Sequence, residues 1–183
     1  MEQHKLNFES KELALEDREM DYSRWRDDSV SRQMFSTNLI ATHYDSTKKM
    51  LAKYNLGPGV VTNTGVIFMA QSFTGQMSIS AFNYHDSGTG STAAAVGDIG
   101  LSTTAGIPGR GTGVQTCPTT GQYKTVGTQT YTGAVGVQEW GLFNQAATGA
   151  GSVMWDRKTF AVINVANGDS IQFSYVLTIT PGG

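Results

Sequence analysis

His85 and Asp86 stand side by side, the pairing from which a hydrolase could draw a general base and the acid that orients it. Serines are plentiful, but no Gly-x-Ser-x-Gly elbow exists to present one as a nucleophile, so a turn is the expected role of His85-Asp86. Gly109-Arg-Gly-Thr-Gly has the glycine density of a phosphate loop but not its Gly-Lys-Ser/Thr ending. His4, His43 and His85 lack the His-x-x-x-His spacing that aims two imidazoles at one metal. Asp86, Asp98 and Asp156 sit in loop-like surroundings without a tandem-Asp pattern, which favours turn aspartates over calcium ligands. Glu139 interrupts an otherwise apolar strand beside Trp140, and Arg157 or Lys158 on a neighbouring strand could pair with it. A glycosidase would need a second, facing carboxylate, and none can be placed. The expectation is a protein without catalysis, cofactor or metal.

The elements that hold these residues fall into two parts. The first 56 residues contain neither glycine nor proline, and the remainder carries all 22 glycines and all 4 prolines. Residues 1–53 also hold 19 of the 28 charged side chains. This contrast predicts a charged, helical N-terminal arm over 1–56 and a neutral Gly/Thr-rich β domain over 57–183. Leu, Ala, Glu, Arg and Met dominate residues 9–34, a helix-forming run without a breaker. Its apolar positions are too irregular for one full stripe, so it is expected either to fold back onto the β domain or to order against a neighbouring subunit. Trp25 between Arg24 and Arg26, with Phe35, supplies the residue types enriched at interface anchors. Ser46–Tyr54 reads as a short helix stopped by Gly57-Pro58.

Beyond Val60 the pattern becomes short β runs between turns. Gly65–Gln71, Gln76–Phe82, Tyr123–Tyr131 and Ala134–Phe143 are candidate strands. The plainest is Ser170–Thr180, where Ile171, Phe173, Tyr175, Leu177 and Ile179 alternate with mostly polar residues. Asn167-Gly168 upstream suggests a hairpin pairing it with Thr159–Val165. Together these predict a mainly β protein, an antiparallel jelly-roll-like sandwich. The Gly/Ser/Thr-rich stretch from Asp86 to Gly121 is expected to hold one or two short strands and to project toward a partner. Thr, Ser and Gln fill outward strand positions where a free monomer would carry Lys and Glu, which points to homo-oligomerisation.

Two blocks carry a resemblance. One is Asn83-Tyr-His-Asp-Ser-Gly-Thr-Gly-Ser through Leu101. The other is Glu139-Trp-Gly-Leu-Phe-Asn, continued by Asp156-Arg-Lys-Thr-Phe and Ile163-Asn-Val-Ala-Asn-Gly-Asp-Ser-Ile-Gln-Phe-Ser-Tyr. Across residues 83–180 the chain resembles small β-rich structural proteins of tailed bacteriophages, among them capsid decoration or cement proteins and some tail-associated proteins. The resemblance implies a non-enzymatic, often trimeric protein seated between major capsid subunits on the virion surface. The N-terminal segment would then be an arm laid across the shell or a neighbouring copy.

Other features bound the alternatives. Formal net charge is −2 with no basic face, so nucleic acid is not an expected partner. No apolar run reaches the ~20 residues of a membrane span. Met1–Asn7 lacks a secretory signal, and the single Cys117 permits no internal disulfide; both fit synthesis in a host cytoplasm. A tail, neck or fibre component is the competing expectation, with Tyr84 and Tyr123 offering rings to a surface glycan. An enzyme acting on cell-wall polysaccharide is a third.

Overall fold

A computed structural model describes residues 35–104 and 107–180. Residues 1–34 of the expected helical arm, with Arg24, Trp25 and Arg26, lie outside the described residues. In chain order the elements are β1 (Phe35–Tyr44), β2 (Met50–Gly57), β3 (Val60–Val61), helix α1 (Asn63–Phe73), a 3₁₀ turn at Ile79–Ala81, β4 (Tyr84–Gly88), β5 (Gly111–Thr112), β6 (Val114–Thr116), β7 (Gln122–Thr130), β8 (Val135–Phe143), β9 (Met154–Val165) and β10 (Ser170–Ile179). They form two antiparallel sheets packed as a sandwich, ordered β2-β1-β10-β7-β6 and β3-β9-β8-β4-β5.

The alternation in β10 does what its period requires. Ile171, Phe173, Tyr175 and Leu177 point inward and are buried, while Gln172, Ser174, Val176 and Thr178 face outward. Opposite them, β8 and β9 contribute Val137, Trp140, Leu142, Trp155, Ile163 and Val165. Trp140 stacks on Tyr175 at 5.3 Å between ring centroids and leans on Phe173 at 6.3 Å. Each such side chain contributes about 1.5–3 kcal/mol on leaving water, so this inter-sheet seam dominates stability.

Several sequence expectations are corrected. Residues 35–57 belong to the sandwich, so its body begins well before Gly57. Ser46–Tyr54 is not a helix: Asp45 accepts hydrogen bonds from the Thr47 and Lys49 amides at 2.8 and 3.0 Å, closing a turn. Met50–Asn55 then zips back along Ile40–Tyr44 as β2. Asn167-Gly168 does make a turn, with Gly168 at φ +86°, but β9 and β10 enter opposite sheets rather than forming a hairpin. The Gly168 amide donates to the Tyr131 carbonyl and the Tyr131 amide to that of Asp169, which ties the crossover to the end of β7.

Gly65–Gln71 is helical, not extended. The Thr62 side chain caps the Gly65 amide at 3.0 Å, and Gly65, Phe68, Met69 and Ser72 recur at i, i+3, i+4 and i+7 on the inward face. Gly65 is required there, because a Cβ would lie 2.9 Å from the Trp155 Cα. Gln76–Phe82 holds only the 3₁₀ turn. The stretch from Asp86 to Gly121 contains the end of β4 and the short strands β5 and β6, but its first part lies pinned on the sandwich instead of projecting from it.

Candidate docking surface at the helix end of the sandwich

The titratable residues singled out in the sequence are mostly buried inside the body. His85 and Asp86 occupy β4, not a turn, and strand alternation sends them to opposite faces. Trp140 Nε1 donates to His85 Nδ1 at 3.2 Å, so Nε2 carries the proton and donates to Thr125 Oγ1 at 3.1 Å. Burial pushes the imidazole down to about 3, and it is held neutral. Glycines at 113 and 127 seal it, since a Cβ there would come within 2.8 and 2.4 Å of the ring. Neither ring nitrogen touches an acid or a serine, so this is a packing histidine. Asp86 instead accepts from Arg110 Nε at 3.1 Å, and that guanidinium lies 3.5 Å over the Phe143 ring.

Glu139 and Arg157 do pair across β8 and β9, with Arg157 Nη2 donating to Oε2 at 2.7 Å. The carboxylate also accepts the amides of Gly90, Ser102 and Thr103 at 2.9–3.0 Å. Arg157 reaches the Asp98 carboxylate at 2.7 Å and the Thr92 carbonyl at 3.0 Å. Burial pulls Glu139 upward, but the amides of Ser102 and Thr103 and the guanidinium together hold it below the usual carboxylate range. The pair therefore staples the loop after β4 onto the sheet. Gly88 and Gly90 permit this approach, because a Cβ at either would fall within 2.5 Å of Glu139 Oε1. The two sequence blocks behind the phage resemblance meet at this staple.

Asp156, expected in a loop, lies in β9 and is fully buried. Burial pushes its carboxyl up to about 7, against the Tyr175 hydroxyl that donates to it at 3.0 Å. Trp155 Nε1 donates in turn to that hydroxyl at 2.8 Å. No group of three or more His, Cys, Asp or Glu suited to hold a metal occurs among the described residues.

The feature left for an outside partner is apolar. From Tyr54 to Tyr84 the chain carries no charged side chain, and α1 lies in the middle of that stretch on the surface. Its inner face packs Phe68 against Phe82 at 4.7 Å, and Phe82 against Trp155 at 5.6 Å. Its outer face shows Val66, Ile67 (56 % exposed) and Phe73 (85 % exposed) to solvent. Met69, Phe82, Tyr123, Trp155, Leu177 and Ile179 line a cleft of about 480 Å³ between the sheets beside the helix. Half-exposed Ile79 lines the same cleft, and exposed Met77 lies two residues before it. Gln115 and Tyr123 provide polar groups in the wall, hydrogen-bonded to each other at 2.9 Å, and exposed Cys117 lies at the rim.

Of the expected partner-binding residues, Phe35 can be placed. It opens β1 opposite Ile179 and sets its ring edge-on to Trp155 at 6.4 Å, half-buried beside the cleft. Tyr123, proposed for sugar stacking, spends its hydroxyl on Gln115 and the Phe82 carbonyl. The α1 surface was missed in the sequence because its β-branched run reads as a strand. The absence of charge over 54–84 was the available signal. No protein-family model, curated protein or solved structure matches this chain.

Proposed function

We propose that this chain is a structural virion protein of a tailed bacteriophage, which decorates or cements the capsid by docking between major capsid subunits. It self-associates in doing so, as a trimer. The observation that carries the assembly role is the uncharged face around α1. A folded domain that displays Ile67, Phe73 and Met77 beside an open apolar cleft gains by covering them. The resemblance over residues 83–180 supplies the virion and the capsid.

The test is immunogold labelling of particles assembled with this chain, paired with rebinding of purified protein to stripped shells. Label on the capsid surface and rebinding that Ile67→Glu with Phe73→Glu abolishes are the expected results. Label confined to the tail overturns the capsid assignment, and rebinding unaffected by the double substitution overturns the docking face.

A further inference from the structure

We infer that the β1–β2 hairpin is a second interaction surface, built to accept an extended acidic segment of a partner protein as an added strand. Helix α1 packs instead on β9 of the other sheet, and the inference stands independently of the capsid reading.

Among the described residues, strand β2 ends its sheet and pairs only with β1, which leaves one side of its backbone open there. An unpaired strand edge is a template for another strand. Every residue of β2 is exposed or half-buried, so the strand overhangs the facing sheet. Register fixes which side each residue takes. Tyr54 and Ala52 pair with Ala41 and His43 on the inward side, whereas Met50 and Lys53 pair with Tyr44 and Thr42 on the outward side. Met50, Leu51 and Tyr54 are each more than a third exposed.

Charge selects the occupant. Among the described residues, the exposed charged side chains are Lys48, Lys49 and Lys53, all in this hairpin, where the one solvent-facing carboxylate, Asp45 at the turn, is occupied by the Thr47 and Lys49 amides and the Thr47 hydroxyl. Arg110 and Arg157 are buried against carboxylates, and Lys158 donates to the Pro58 carbonyl. A second copy of β2 would bring these lysines against their equals, a repulsive arrangement that argues against self-pairing. An acidic strand meets them favourably and adds backbone hydrogen bonds along an open edge. Apolar residues on its alternate positions would cover Tyr54.

The probes are two fluorescein-labelled peptides of six Val-Glu or six Val-Lys repeats, titrated against the full chain by anisotropy. The Val-Glu peptide is expected to bind in a salt-dependent manner, and the Val-Lys peptide not to bind. Lys48→Glu, Lys49→Glu and Lys53→Glu together should weaken Val-Glu binding about tenfold, as the loss of three exposed charge contacts implies. These side chains are exposed, so an unchanged circular dichroism spectrum is expected for the triple variant. A Val-Glu peptide with every second amide N-methylated keeps its charge but cannot add as a strand, and it should lose binding. Absent or equal binding of the two peptides, binding that survives N-methylation, or tighter capture of a poly-uridine oligonucleotide than of Val-Glu each overturns the inference.

Discussion

At the residue scale, two buried titratable groups set opposing pH dependences. His85 binds its proton far more weakly folded, at about 3, than at its ordinary 6.5. Between those values the unfolded chain holds the proton and the native one does not, so this group makes stability rise with pH. Asp156 does the reverse. Its folded value of about 7 lies above the ordinary 3.8, so the native state holds the proton and stability falls as pH rises from about 4 to 7. From about pH 4 to 6.5 the two contributions cancel. Asp156→Asn keeps an acceptor for Tyr175 and removes one of them. Urea unfolding of that variant should show stability rising by up to about 1.4 kcal/mol per pH unit across this window. The wild type should be flatter, and a wild-type slope as steep as the variant's would refute the opposition.

At the element scale, the Glu139–Arg157 staple holds the segment from Thr89 to Thr104 on β8 and β9. Glu139→Gln leaves a buried guanidinium with one fewer counter-charge and should cost about 3–5 kcal/mol. Limited proteolysis should then cleave first within residues 89–104; a first cut elsewhere would show that other contacts hold this loop. The helix is anchored differently, by close approach. Gly65→Val would push its Cβ into the Trp155 backbone and lift α1, lowering stability by about 1–3 kcal/mol in thermal unfolding. An unchanged melting temperature would mean that α1 shifts freely over β9.

At the scale of the whole molecule, the described residues outside the β1–β2 hairpin hold most of their charge inside and show apolar surface outside, the reverse of a freely diffusing domain. Arg110, Arg157, Asp86, Glu139 and Asp156 are all buried or nearly so, while Phe73 and Ile67 are open to solvent. Such a body is poorly protected against association. Sedimentation velocity of the wild type should show a concentration-dependent oligomer, and Ile67→Glu with Phe73→Glu should sediment as a monomer. Because both side chains are exposed, the pair should change stability by no more than about 0.5 kcal/mol. A wild type that stays monomeric at every concentration would remove self-association from the proposed role.

What the sequence determined by itself was the class of structure and its local chemistry. Alternation in Ser170–Thr180 specified a half-buried strand, because side-chain direction in a strand depends only on the backbone. Glu139 amid apolar neighbours demanded a cation, and Arg157 was one of two within reach. Gly168 marked a turn, since φ +86° costs glycine little. Tertiary structure decided the rest. Which sheet the strand after that turn joins depends on contacts with β1 and β7, far away in sequence. Whether Val66-Ile-Phe-Met becomes strand or helix turned on the Thr62 cap and on the flat backbone of Trp155, against which only a glycine can press. Likewise, only the folded sheets show His85 and Asp86 to be walled in on opposite faces, because neighbours along the chain say nothing of what will press on them from across it.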